Sequence, residues 1–586
     1  MSSDFAKVKV IDDRLNVTDA VKYAVVKGGQ NMTSANFSAV SQSTSSHTYN
    51  IQVPSEQTIV DRRVLWQSQV VLAITGTAPA GQYLVDYGMA DALAPFPLHQ
   101  LCSVMTATIN NNSVSINMRD VLASMLRFND RRELQRYNGY TPVAYDTVQN
   151  YADSLGALNN PNGSWVNTSD NDLSPRGSWV LDGISSTTNF SAPTAPVVSV
   201  GDPQTVYVQF TVSEPLLLSP FIFAHPKSNN QGFYGIQNMN FVFNIADGKR
   251  VWRSANAYGQ TCVPYSFSNS RLIFNFLTPH PSDLMPSRNV VGYYELPRFI
   301  TANNPAFGAY GSATQSQVLR TSNIQLNQIP DKLILFVRKS MADQGVNDTD
   351  SFLCIQNVSI NFNNQSGILA SATTQDLYRY SVENGCNSSW YEFSGSANQH
   401  SVSASGGRRL PTSGSVLVLE FGKDIQLVED FYAPGSLGNF SLQLQATVLN
   451  QSASAITNTE FVLITMNSGV FVNERGTSST FTGILTKSDV LDTSSQEPYT
   501  RSDTDRMVGG GFLDTLKSVA GKVLPKVASL AKPLLAGMEN KYAKLGAAGL
   551  DALGYGRSGG GGSGGGVSGG GGSGGRRHSK LDDRLM

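Results

Sequence analysis

The sequence predicts an all-β chain, built as two tandem sandwiches of jelly-roll type and followed by an amphipathic helical, glycine-rich tail. Three observations carry the prediction. First, Leu442, Leu444, Ala446 and Val448 alternate with Ser, Gln, Gln and Thr across 441–449, the period of a strand with one dry and one wet face. Second, many short β-rich runs are separated by Gly, Asn, Ser and Pro, the punctuation of a multi-stranded antiparallel fold. Third, the order of runs repeats. VYVQFTVSEPLLLSPFIF…GFYGIQNMNFVFN, from Val206, is matched about 205–210 residues later by SVLVLEFGKDIQLVEDFY…GSLGNFSLQLQATVLN. MTATINNNSVSI from Met105 likewise echoes NVSINFNNQSGI from Asn357. Order and spacing together indicate two domains of one design.

In chain order, residues 1–50 are polar and weakly periodic, which predicts an arm or a disordered segment able to order on assembly. Strands start at RVLWQSQVVLAIT, from Arg63, and continue through 101–118. Residues 118–140 have helical character through Leu122, Met125, Leu126 and Leu134. The Asn/Gly/Ser/Pro-rich stretch 141–203 reads as a projecting surface loop. Strands resume at 206–212, 214–223 and 233–245. A second cycle starts near Arg271 with RLIFNFL, its first strand equivalent to the Val64 region, and then passes through DKLILFVR and SFLCIQNVSINFNN. The expected division is an arm at 1–50, a first sandwich at 51–250, a second at 251–500, an amphipathic segment at 501–556 and a basic Gly/Ser tail at 557–586.

A chain of 586 residues exceeds what one core supports. Charged residues make up only 15%, against the usual quarter. The net charge of −1 hides an asymmetry: from Met507 onward eleven Lys and Arg face five acids, so the tail carries +6 and the body −7. A basic tail on a mildly acidic body seeks a negative partner, nucleic acid or a lipid surface. Cys102, Cys262, Cys354 and Cys386 are far apart, which argues for buried free thiols rather than a zinc site or a disulfide framework. The N-terminal residues lack the apolar core of a signal peptide, and no run reaches membrane-spanning length. Synthesis in the cytosol is therefore expected.

The tail differs in kind. Beyond the glycines at 509–511, Phe512, Leu516, Val519, Val523, Val527, Leu530 and Leu534 fall at steps of three and four, one stripe of a helix. Lys517, Lys522, Lys526 and Lys532 lie mainly off that stripe, and Pro525 and Pro533 kink or divide the helix. Such a segment either packs on its own domain or enters a membrane interface with its lysines in water. Contact with nucleic acid is a third reading, weakened by the near absence of interleaved aromatics.

Catalytic and ligand-binding motifs are missing. The six histidines form no HExxH or other close pair, and no GxSxG elbow, Walker loop or dinucleotide fingerprint occurs. His99, beside a strand, reads as structural. Glu420, Asp424 and Glu429 are the carboxylates a β-sandwich glycosidase would need, but carboxylates at strand ends are usually turn residues. The expectation is a protein that is not an enzyme and needs no cofactor or metal.

EPLLLSPFIF…GFYGIQNMNF, IPDKLILFVRK, FLCIQNVSINFNNQSGILASATTQDLYRYS and GVFVNERGTSSTFTGILTKSDVL together resemble the double jelly-roll major capsid proteins of eukaryotic DNA viruses, nearest the Polinton, adintovirus and virophage-like group. The resemblance covers about 55–495. It implies two eight-stranded jelly rolls per chain, a homotrimer forming a pseudo-hexameric capsomer, an icosahedral shell, and minor capsid or penton proteins as neighbours in the virion. The 141–203 and 278–330 loops would face outward or toward other subunits. Met507, Gly509, Gly510 and Gly511 resemble the site cut by adenovirus-type maturation proteases, which implies cleavage between Gly510 and Gly511 and release of a membrane-active peptide. An ordinary glycine hinge fits the same residues. The long tail itself departs from the family pattern. Two other readings of the body are a single-jelly-roll coat protein with a projecting domain and a lectin- or adhesin-like binding sandwich.

Overall fold

The computed structural model describes residues 32–483, apart from 89, 130, 150–178, 197, 222–231, 280–287, 303, 400–407, 428–431 and 475, and adds the paired strands Val8–Val10 and Val25–Lys27. The first sandwich contains β1 (Met32–Ser38), β2 (Ser46–Gln52), β3 (Leu65–Gly76), β4 (Cys102–Ile109), β5 (Asn112–Ile116), β6 (Gln204–Pro215), β7 (Asn238–Ile245) and β8 (Thr261–Leu277). The second contains β9 (Arg288–Glu295, continued by Arg298–Thr301), β10 (Ser316–Arg320, continued by Ile324–Gln328), β11 (Lys332–Lys339), β12 (Cys354–Phe362), β13 (Gln365–Ile368), β14 (Leu417–Glu420), β15 (Leu437–Leu449) and β16 (Thr459–Glu474). A closing strand, β17 (Thr477–Thr482), turns back along β16.

Sheet order makes the duplication explicit. The first sandwich pairs β6-β3-β8-β1 and β5-β4-β7-β2; the second pairs β14-β11-β16-β9 and β13-β12-β15-β10. Every strand in the second is its counterpart plus eight, so both halves are eight-stranded antiparallel jelly rolls. The correspondence extends to single hydrogen bonds. Ile109 faces Asn112 across the turn of the β4–β5 hairpin, and Phe362 faces Gln365 across that of the β12–β13 hairpin, leaving Asn-Asn in each turn. Asn110 and Asn363 have φ near +50°, a conformation Asn tolerates better than most residues. Each is then locked to the seventh strand or its approach. The Asn110 N–H donates to the Asn238 carbonyl and its Oδ1 accepts the Gln237 N–H, both at 2.9 Å. Asn363 makes both bonds to Ser441, also at 2.9 Å.

Burial explains why some strands alternate and others do not. β7 shows one buried and one exposed face, whereas β11 and β16 are buried on both. Leu333, Leu335, Val337, Leu417, Leu419 and Leu463 fill the second sandwich. From the opposite face Ile334, Phe336, Val418, Val462 and Ile464 join the cluster that contains the core of the first. A sheet covered on both sides reads as a continuous apolar run, as LILFV and FVLI do.

Four expectations need correction. Residues 278–330, expected as an outward or inter-subunit loop, carry β9 and β10, which pair with β16 and β15. β8 pairs with β1 and β3, so Arg271–Leu277 ends the first sandwich and a boundary at 251 cuts through it. The strand equivalent to the Val64 region is therefore β11. Residues 32–50 carry β1 and most of β2, not an arm, because β1 completes an edge of the sheet along β8. Finally, 141–149 is buried rather than projecting. It crosses to the second sandwich, where the Ser413 N–H donates to the Thr147 carbonyl at 2.9 Å and the Gln149 N–H to the Pro411 carbonyl at 3.1 Å.

Candidate assembly site: the junction between the sandwiches

The apolar outer face of the β14-β11-β16-β9 sheet must meet something dry, and the connection from β5 to β6 supplies it. That connection opens with helix α1 (Met118–Met125), nearly all of which is buried. Asp120 accepts hydrogen bonds from Arg338 at the end of β11 and from Arg298 in β9. Arg338 also reaches Glu460 at 2.8 Å. A second group surrounds Asp350, which lies in the loop between β11 and β12. It takes hydrogen bonds from Arg250, from Arg253 at 3.1 Å and from Gln100 at 2.7 Å. Arg253 also contacts Asp146 at 3.4 Å, and the Asp146 carboxylate accepts the Asp350 N–H at 2.8 Å.

Isolated charges at this depth are prohibitive, so each acid is shared between arginines. Burial alone would raise the Asp350 pKa; Arg250 and Arg253 outweigh it and hold the carboxyl below the usual carboxylate range. Arg127 joins the group through its guanidinium, which donates to the Ala123 and Asp350 carbonyls at 2.6 and 3.0 Å and lies 4.8 Å from the Phe352 ring centroid. A second seam closes the rim. Ser478 Oγ accepts from Asn110 Nδ2 at 2.8 Å, its N–H donates to Asn111 Oδ1 at 2.8 Å, and Tyr234 Oη donates to the Arg288 carbonyl at 2.9 Å.

Elsewhere the polar groups singled out for chemistry are structural. His99 is buried; Nδ1 lies 2.6 Å from Glu214, and Nε2 accepts the Leu217 N–H at 3.3 Å. With Nε2 an acceptor, Nδ1 carries the proton toward the carboxylate. Glu214 also accepts the Leu98 and His99 N–H groups and the Thr141 hydroxyl, so the pair ties β6 to the short helix Pro97–Leu101 and to the segment at Thr141. Asp424 accepts the Glu420 N–H at 2.9 Å and Asn384 Nδ2 at 2.6 Å, the work of a turn carboxylate. Glu429 lies outside the described residues. All four cysteines are buried and unpaired. The tail residues Met507, Gly509, Gly510, Gly511, Phe512, Leu516, Lys517, Val519, Lys522, Val523, Lys526, Val527, Leu530, Lys532 and Leu534 also lie outside the described residues.

Two family models match the chain in tandem: the first domain of the Sputnik virophage major capsid protein over residues 3–277, and the C-terminal domain of the major capsid protein V20 over 296–469. The gap between them falls where β8 ends and β9 begins. The chain belongs to the virophage major capsid protein family. The putative capsid protein V20 of Sputnik virophage is 29% identical over 567 residues, 92% of this chain and 91% of the relative. The Sputnik virophage capsid structure determined by cryo-EM is 27% identical with a TM-score of 0.70, covering 86% of this chain and 98% of that one. The mavirus major capsid protein crystal structure shares the fold at 16% identity and a TM-score of 0.65, covering 83% of this chain and 96% of that one.

For this virophage-type capsid protein the junction is what sequence reading missed. Its residues are scattered from Gln100 to Glu460 and form no motif. One signal was present: in a chain so poor in charge, Arg338 directly follows LILFV, and Arg250 and Arg253 flank VW. Charges set against apolar runs there had to be buried and paired.

Proposed function

We propose that this chain is a non-enzymatic shell subunit that closes into homotrimers, each a pseudo-hexameric capsomer, and that these tile an icosahedral virion. One observation supports the reading above others: two sandwiches of identical strand order are fixed to each other by buried apolar and ionic contacts. Three such chains present six near-equivalent blocks, and rings are the usual closed form of protein oligomers. Light scattering with negative-stain microscopy of the full-length chain tests it. Trimers of hexagonal outline are expected, and a strictly monomeric chain at assembly concentrations would overturn the proposal.

The tail belongs to the same proposal. Cleavage between Gly510 and Gly511 by a maturation protease would free a basic amphipathic peptide, with the Phe512–Leu534 stripe entering lipid and Lys517, Lys522, Lys526 and Lys532 meeting anionic headgroups. Minor capsid or penton proteins would fill the remaining shell positions, and packaged nucleic acid would be at most a weak tail partner. Mass spectrometry of particles should find a body ending at Gly510. Intact chains alone would refute cleavage.

A further inference from the structure

We infer that the outer face of the β6-β3-β8-β1 sheet is the seat for the β13–β14 connection of a second copy. The inference rests on the trimer reading and assigns the surfaces that close the ring.

The contact inside one chain is head-to-tail. It joins the outer face of the second sandwich's β14-β11-β16-β9 sheet to the first sandwich's β5–β6 connection. On that face Ile334, Phe336 and Ile464 are 2%, 0% and 0% exposed. Asp120 of α1 anchors the far side, with the Ser413 N–H to Thr147 carbonyl bond and the Asn387 N–H to Arg127 carbonyl bond beside it. A heterologous contact used once per chain leaves one unused copy of each half, and here both halves can be located.

Beyond an Arg271–Gln67–Ser213 row at one end, the unused sheet face carries four rows across β8, β3 and β6. They are Thr261–Thr75–Thr205, Val263–Ala73–Tyr207, Ser266–Val71–Gln209 and Ser268–Gln69–Thr211. None of the twelve side chains is charged, although Asp182, beside β6, accepts hydrogen bonds from Gln69 and Thr211 in the last row. Val263 is 51% exposed and Tyr265, at the bulge beside it, 49%; Tyr265 packs edge-on to Tyr207 at 5.1 Å. Paired tyrosines and scarce charge mark interface cores rather than open surface.

The corresponding connection runs from β13 to β14; Asn387, Pro411 and Ser413 in it already meet the first sandwich of their own chain, and it also holds α2 (Thr374–Glu383) and α3 (Trp390–Phe393). The helix that follows the fifth strand in the first sandwich is buried. Its counterpart α2 shows Val382 at 40% exposure, and α3 shows Trp390 at 39% against Tyr378. The ionic part of the contact is not repeated. Asp120 is the third residue of α1, and Asp376, the third of α2, closes a capping box with Thr373 instead. The contact between copies therefore lacks the buried ion pairs of the contact within the chain.

Full-length protein carrying Val263→Cys and Trp390→Cys together, treated with a short bis-maleimide, tests the assignment against a background of four buried cysteines. Cross-linked dimers and trimers are expected from the double variant and from neither single one. Cross-linking by V263C alone would mean the face meets itself, overturning the assignment. An intact trimer that fails to cross-link would also overturn it while leaving the trimer reading standing. A monomeric wild-type chain would remove both. Val263→Glu should raise the concentration needed for half-trimerisation at least tenfold; an unchanged value rejects the inference.

Discussion

His47 makes the first sandwich sensitive to acid. It sits in β2 with no exposed surface, its ring edge-on to Phe267 at 4.5 Å and to Trp66 at 6.0 Å. Nδ1 lies 3.2 Å from Ser270 Oγ, which also contacts Tyr49 Oη at 2.6 Å and accepts from Trp66 Nε1 at 3.3 Å. Burial pushes the imidazole pKa down from 6.5 to about 4, opposed only in part by the Ser43 carbonyl. Above 6.5 both folded and unfolded forms are neutral and the residue has no effect. Below 6.5 the unfolded chain takes up a proton that the folded chain refuses, so stability falls until about pH 4. At about 1.4 kcal/mol per pH unit, that window is worth about 3 kcal/mol. His47→Leu removes the penalty. Hydrogen exchange at β2, β3 and β8 amides should accelerate on moving from pH 7 to pH 4 about a hundredfold more in the wild type than in the variant, after correction for intrinsic rates. Parallel pH profiles for the two proteins would refute the assignment.

Asp331 works in the opposite sense. Burial lifts its pKa from 3.8 to about 6, so its penalty builds between pH 3.8 and 6 and is complete above. Asp331→Asn keeps an acceptor for the Ser468 N–H and should stabilise the chain at pH 7 by up to about 3 kcal/mol in urea unfolding, with no gain at pH 3.5. Asp350→Ala strands the Arg250 and Arg253 charges and should cost about 3–5 kcal/mol; a loss under about 1 kcal/mol would show that the junction carries little of the stability. Gly414 has φ +83°, and a Cβ there would fall 1.8 Å from the Phe352 carbonyl oxygen. Gly414→Ala should therefore give little soluble folded protein by gel filtration, and normal yields would contradict the geometry.

The sequence disclosed strands more reliably than their membership. The two Asn-Asn hairpins and the sixth and seventh strands of each half were recognisable because turn chemistry and alternation are local. β8 was correctly seen as a strand but given to the wrong sandwich. Its place between β3 and β1 arises only after the chain has wound through seven strands, and no local pattern records that. β1 was missed because only Ala35 and Phe37 of its seven residues turn toward the core, which leaves almost no alternation. The 141–149 segment was taken for a projecting loop because its polar residues looked solvated. They are instead buried, with Thr141, Asp146 and Thr147 all under 4% exposed, satisfied by partners far away in the sequence.

That misreading bears on how the chain works as a tile. An apolar sheet face can slide against another apolar face at small cost, because hydrophobic contact is proportional to area and has no direction. A tile needs a fixed angle between its two blocks. Asp120 and Asp350 supply direction: each is shared by two arginines, and in each group acid and base come from different sandwiches. Displacing either sandwich would separate charges that have already been removed from water, which costs far more than the sliding of apolar surface it accompanies. The junction's polar groups therefore set the orientation of the two jelly rolls, while Ile334, Phe336, Val462 and Ile464 supply the adhesion. Division of labour of this kind explains why a chain with so few charges buries so many of them in one place.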